Sequence, residues 1–155
     1  VSTQTQPVAG SNSPAVALNA RAIAIAAQQS ITLSHYTQAQ QDAILQLYHL
    51  VKRHNGTSGG TAAAKLLLGL YNGRRFPFDL TDFRLFDAGN FNAAMTVLQM
   101  DARHTWCEIH ILLNAILGVG KNTGAEFEHW AYNLRLPKRC KKDQLPVLVR
   151  SGGAV

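Results

Sequence analysis

The sequence predicts a mostly α-helical protein, a single compact domain with a bundle of about five or six helices. Residues 1–13 are expected to form a flexible segment, residues 14–137 the helical domain and residues 138–155 a basic tail. Two observations carry this reading. Apolar residues return at intervals of three and four, first in Ile44, Leu47, Tyr48 and Val51, then in Ala63, Leu66, Leu67, Leu70 and Tyr71. Helix-start and helix-stop signals also bracket these runs: Thr37 with Gln40 has the spacing of a capping box, and Asn55-Gly56 follows a basic last turn.

Residues 1–13 are rich in Ser, Thr, Gln, Asn and Gly and offer little to bury. Ser13-Pro14 reads as an N-cap followed by proline in the first turn. The alanine-rich run Ala15 to Gln29 suits a helix, while the alternation Ala22-Ile23-Ala24-Ile25 leaves a strand open. The second helix starts after Thr37 and ends with Lys52, Arg53 and His54, where positive charge suits the helix dipole. Thr57 to Gly60 reads as a link, and Thr61 as the cap of a third helix that stops at Gly73. A loop with Pro77 leads to a short turn started by Asp79 or Thr81. Asp87 or Asn90 caps the next helix, with Phe91, Ala94, Met95, Leu98 and Ala102 as its buried face. Trp106 to Leu117 is apolar on most sides, as in a buried helix. After Gly118 to Gly120, Asn122 or Thr123 caps a last helix bearing Phe127, Trp130, Ala131 and Leu134, with Pro137 past its end.

Composition narrows the function classes. The 155 residues are 46% hydrophobic, enough for a core without covalent staples. Two cysteines, Cys107 and Cys140, are too few for a disulfide framework, which points to a reducing compartment. No apolar run reaches the ~20 residues of a membrane-spanning helix. No signal-peptide pattern opens the chain, so the expected location is the cytoplasm. The net charge of +6 favours acidic or polyanionic partners.

The middle of the chain carries the run FDLTD at Phe78 to Asp82, followed by Asp87, by Met95 to Leu98 and by Ala102-Arg103-His104. Phe127-Glu128 and Trp130 come later. This order resembles an uncharacterised domain family of small proteins carried on plasmids and integrative conjugative elements of proteobacteria. The resemblance covers roughly Leu66 to Pro137. The first 60 residues lie outside it, and the apolar stretch Thr105 to Val119 departs from the family's Tyr- and Gly-rich loop. It implies a mobile-element setting and transfers no catalytic residue.

Each residue set with catalytic or metal-binding character also has a simpler structural role. His104, Cys107 and His110 are spaced like metal ligands, but on a helix steps of three residues splay the two histidines by about 120°. No metal and no cofactor is therefore expected. Cys107 as a nucleophile beside a histidine is opposed by its apolar surroundings, which keep thiols inert. Asp79, Asp82 and Asp87 suit acid–base work, yet capping and pairing with Arg74, Arg75 or Arg84 account for them. Gly118 to Gly124 lacks P-loop spacing.

The partner-seeking features are Arg74, Arg75 and Arg84 around FDLTD, and Lys138, Arg139, Lys141 and Lys142 after the last helix. The expected function is non-catalytic binding of a host or element protein or nucleoprotein complex. Inhibition of a defence complex, as by an anti-CRISPR protein, is one form of it. Direct binding of DNA or RNA is the alternative. An enzyme using Cys107 or the three aspartates is the third.

Overall fold

The computed structural model describes residues 14–103 and 105–135. Among them lie six α-helices and one 310 turn. The helices are α1 (Pro14–Ser34), α2 (Gln38–Arg53), α3 (Ser58–Asn72), α4 (Ala88–Arg103), α5 (Ile109–Leu117) and α6 (Thr123–Asn133), and the 310 turn (Leu80–Leu85) precedes α4. No strand occurs among the described residues, so the alternation at Ala22 to Ile25 belongs to a helix. The expected Ser13 cap, the segment 1–13 and the basic tail lie outside the described residues.

The core is built around α2 and α3. The predicted face of α2 is the observed one: Ile44, Leu47, Tyr48 and Val51 are buried. Its start is the predicted capping box. The Thr37 hydroxyl accepts from the Gln40 N–H, and the Gln40 side chain accepts from the Thr37 N–H at 2.9 Å. Helix α3 is surrounded by the other core elements, and Ala62 to Ala64 and Leu66 to Leu68 are all buried. Each fully buried leucine contributes about 1.5–3 kcal/mol by leaving water.

Helix α3 begins earlier than the sequence suggested. Thr57, not Thr61, is its cap, and the Thr57 hydroxyl accepts from the Gly60 N–H at 3.1 Å. The supposed link is the first helical turn. Gly60 is required there because any Cβ would overlap the carbonyl oxygen of His54 at the end of α2. The two helices meet backbone to backbone at this point.

The 310 turn opens at Asp79, whose carboxylate accepts from both the N–H and the hydroxyl of Thr81, each at 2.8 Å. Asp87 caps α4 by accepting from the Asn90 N–H at 2.8 Å. The buried face of α4 is Ala93, Ala94, Val97 and Met100. This corrects the expected face, because Phe91, Met95 and Ala102 are exposed. Of the expected face, Ala94 is fully buried and Leu98 packs against the core, so the predicted stripe straddles the edge between the buried side of α4 and an apolar side that faces outward.

Helix α5 ends at Gly118, whose φ of 95° suits a residue without Cβ. Asn122 caps α6. The Thr123 hydroxyl donates to the His110 carbonyl at 2.8 Å, and the Thr123 N–H donates to Asn114 Oδ1 at 2.9 Å, locking α6 to α5. Helix α1 packs mainly on α5 through its last turns. The Gln29 side chain donates to the Asn114 carbonyl at 3.3 Å, and Thr32 is buried.

Candidate functional site

The FDLTD segment forms one wall of an apolar groove of about 250 Å3. Leu66, Gly69 and Leu70 of α3 form its floor, Pro77, Phe78 and Phe83 one side, and Leu98 of α4 the other. Gly69 lets the loop approach. A Cβ there would lie 3.3 Å from the Phe78 Cβ and 3.4 Å from the Phe76 carbonyl oxygen, closer than ordinary contact. The Phe78 and Phe83 rings meet edge to face at 4.9 Å, and Phe83 meets Phe91 at 6.0 Å. Apolar surface continues out of the groove. Leu80 is 75% exposed, and Leu85, Phe91 and Met95 are exposed as well. Exposed apolar side chains on the elements that flank an apolar groove are what interaction sites present.

Charge surrounds this patch unevenly. Arg74 and Arg84 are exposed, beside Gly73 and Phe83 of the groove wall. Asp82 is spent on Lys65 at 2.9 Å. The two hydrogen bonds from Thr81 hold the Asp79 carboxyl below its usual range, so it stays ionised as a cap. Pairing thus involves Asp82 with Lys65, and capping involves Asp79 and Asp87, while Arg84 adds a weaker Coulombic attraction at Asp79.

Arg75 is a correction. It was expected beside Arg74 and Arg84 as a partner-binding cation, but it turns inward. Its Nη1 and Nη2 donate to Glu128 Oε1 and Oε2 at 2.7 and 2.6 Å, a bidentate pair. The Tyr71 hydroxyl donates to the same Oε1 at 3.1 Å. Glu128 is fully buried on α6. Burial and the Glu128 carboxylate push the Tyr71 phenol up, and the same carboxylate raises the Arg75 guanidinium. The pair ties the loop after α3 to α6 and so fixes where Pro77 and Phe78 stand. Sequence reasoning missed Glu128, which sits between Phe127 and Trp130 on a face read as apolar.

Lys138, Arg139, Lys141 and Lys142 lie outside the described residues, as do His104 and Cys140. No cluster of three metal-ligating side chains occurs among the described residues. Cys107 is half-buried with its Sγ 3.6 Å from the Tyr36 hydroxyl, and burial pushes its thiol up, which disfavours the thiolate. A second concavity, of about 330 Å3, lies where α2 ends, α3 begins and α6 passes. Lys52 at its edge is already paired with Glu126 at 3.1 Å.

A family model matches residues 41–131 and is described as a family of unknown function, DUF7673. The chain belongs to DUF7673. The DUF7673 match extends from α2 to the core of α6 and contains the whole apolar groove and both members of the Arg75–Glu128 pair. It reaches further towards the N-terminus than the resemblance read from FDLTD, so α2 is part of the DUF7673 domain while α1 lies before it. No curated protein and no solved structure matches the chain. No described helix is long and apolar enough to cross a membrane.

Proposed function

We propose that this DUF7673 protein is a non-catalytic accessory protein of a mobile element, which binds a protein or nucleoprotein complex through the FDLTD groove. The observation that supports this is the groove itself: an apolar floor, an exposed Leu80 at its lip, and two exposed arginines beside it. The partner that fits presents an apolar side chain flanked by carboxylates. The apolar group fills the groove, and the carboxylates meet Arg74 and Arg84. Inhibition of a nucleic-acid-guided defence complex is one activity of this kind. The mobile-element setting rests on the FDLTD resemblance, and the cytoplasm as location on composition. The basic run Lys138, Arg139, Lys141 and Lys142 adds long-range attraction for an acidic partner.

A second reading, direct nucleic-acid binding, is favoured by one local feature. Trp106, 57% exposed, stacks on His35 with ring centroids 3.6 Å apart, three residues after the exposed Arg103 in the sequence. Aromatic platforms of this kind stack single-stranded bases.

Affinity capture from the host, with and without nuclease, separates the two. On the first reading the captured protein persists after nuclease and is lost with Leu80→Asp. Melting should shift by less than about 3 °C, because Leu80 packs little. Capture that vanishes with nuclease, or that Leu80→Asp leaves intact, overturns the groove reading. A loss on Trp106→Ala together with nuclease sensitivity establishes the second.

A further inference from the structure

Among the described residues, helix α1 is left largely uncovered. Every residue from Pro14 to Gln28 is exposed, and only Gln29, Thr32 and Leu33 near its end turn into the body. Yet α1 is not a polar helix. Arg21 is its single charge, and Val16, Leu18, Ile23 and Ile31 are more than half exposed. The exposed stretch from Pro14 to Gln28 is close to the length, about 12–15 residues, below which a helix standing free in water is marginal even when rich in alanine.

At about 100° per residue, the residues of α1 sort into two opposite faces. Gln29, Thr32 and Leu33 form the side towards the body, and the exposed Ile25 lies in line with them. Val16, Ala20, Ile23, Ala27 and Ile31 form the side directly away from it. Spacings of four, three, four and four make this outer side a continuous seam, in which large and small residues alternate.

We infer that α1 is a self-association helix: the Val16–Ala20–Ile23–Ala27 seam packs antiparallel against the same seam of a second copy. Three observations select this occupant. The seam is complementary to itself. With Val16 set opposite Ala27, Ile23 falls opposite Ala20, so both large side chains among these four positions meet an alanine, as a two-fold contact requires, while Ile31 lies beyond the overlap. Arg21 lies off the seam, so nothing charged is buried and no acidic or basic partner is specified. The body is attached at the C-terminal end of α1. Antiparallel pairing therefore places the two bodies at opposite ends, whereas parallel pairing would bring together two chains of net charge +6. A helix of this length covers roughly 600 Å2 per chain, the lower edge of specific interfaces, so the dimer should depend on concentration. This inference is independent of the FDLTD groove, which lies on other elements.

Sedimentation equilibrium of the full chain over three decades of concentration tests it. The expected result is a monomer–dimer equilibrium. Ile23→Glu should raise the dissociation constant at least about 100-fold, while Gln28→Glu, a charge off the seam, should leave it unchanged. A monomer at every concentration overturns the inference, as does a dimer that Ile23→Glu does not weaken. Register is read from single-cysteine chains lacking Cys107 and Cys140. Val16→Cys mixed with Ala27→Cys should form a heterodisulfide faster than either forms a homodisulfide, and the reverse order overturns the antiparallel arrangement.

Discussion

Arg75 and Glu128 show how much one residue pair can organise. Sequence reading placed Arg75 with Arg74 because adjacent arginines after a helix look alike on the page. Only the fold shows that one of them has a buried carboxylate within reach, supplied by α6. Pattern reading could not have found Glu128, because its partner is 53 residues away. Arg75→Met should destabilise the protein by about 3–5 kcal/mol, since it leaves a carboxylate buried without its cation. The double change Arg75→Met with Glu128→Leu should recover part of the loss, because matched apolar groups tolerate burial while the Tyr71 hydroxyl loses its acceptor. Urea denaturation followed by circular dichroism measures both. Equal destabilisation by the single and double variants would show that the pair does not carry the loop.

The helices divide into those that met one environment and those that met two. Helix α2 was legible because one face is buried and the other is wet, so Ile44, Leu47, Tyr48 and Val51 marked it. Helix α4 was misread because Phe91 and Met95 continue an apolar pattern that points outward, beside the groove. That misreading and the candidate site have one physical origin: a second apolar face costs solubility and lacks a covering element among the described residues. The start of α3 was missed because glycines at positions 59 and 60 resemble a link, whereas Gly60 serves a close helix contact. Gly60→Ala should therefore lower stability by about 1–3 kcal/mol despite its better helix propensity. A thermal melt in which Gly60→Ala is neutral or stabilising would contradict the contact with His54.

The alkaline limit of the whole molecule follows from its buried acids. The Cys107 thiol and the Tyr36, Tyr48 and Tyr71 phenols are all pushed up, chiefly by burial. Each then holds its proton more tightly folded than unfolded. Their contribution is complete below the unfolded values of 9.0 for the thiol and 10.0 for the phenols, and is lost as pH rises through the higher folded ones. The urea midpoint should fall from about pH 9 upward, and Tyr48→Phe should make the fall shallower. A midpoint unchanged to pH 11 would contradict this. The fold class was legible across the molecule, because helix periods and caps are local. The groove was only half legible: FDLTD stood out, but its apolar walls come from α3 and α4 and meet only in three dimensions.

The two tryptophans occupy unlike places, and this equips the molecule with two optical reporters. Trp130 is enclosed by Tyr48 and Phe127, with ring centroids 5.8 and 4.9 Å away. Trp106 lies open against His35, just past the end of α1. A dissolved quencher such as iodide reaches the second, 57% exposed, far more readily than the first, 8% exposed. Quenchable emission therefore follows the junction of α1 with the body, and protected emission follows the core. In a denaturation experiment the two signals separate if the junction opens before the core, and coincide if the molecule comes apart as one unit.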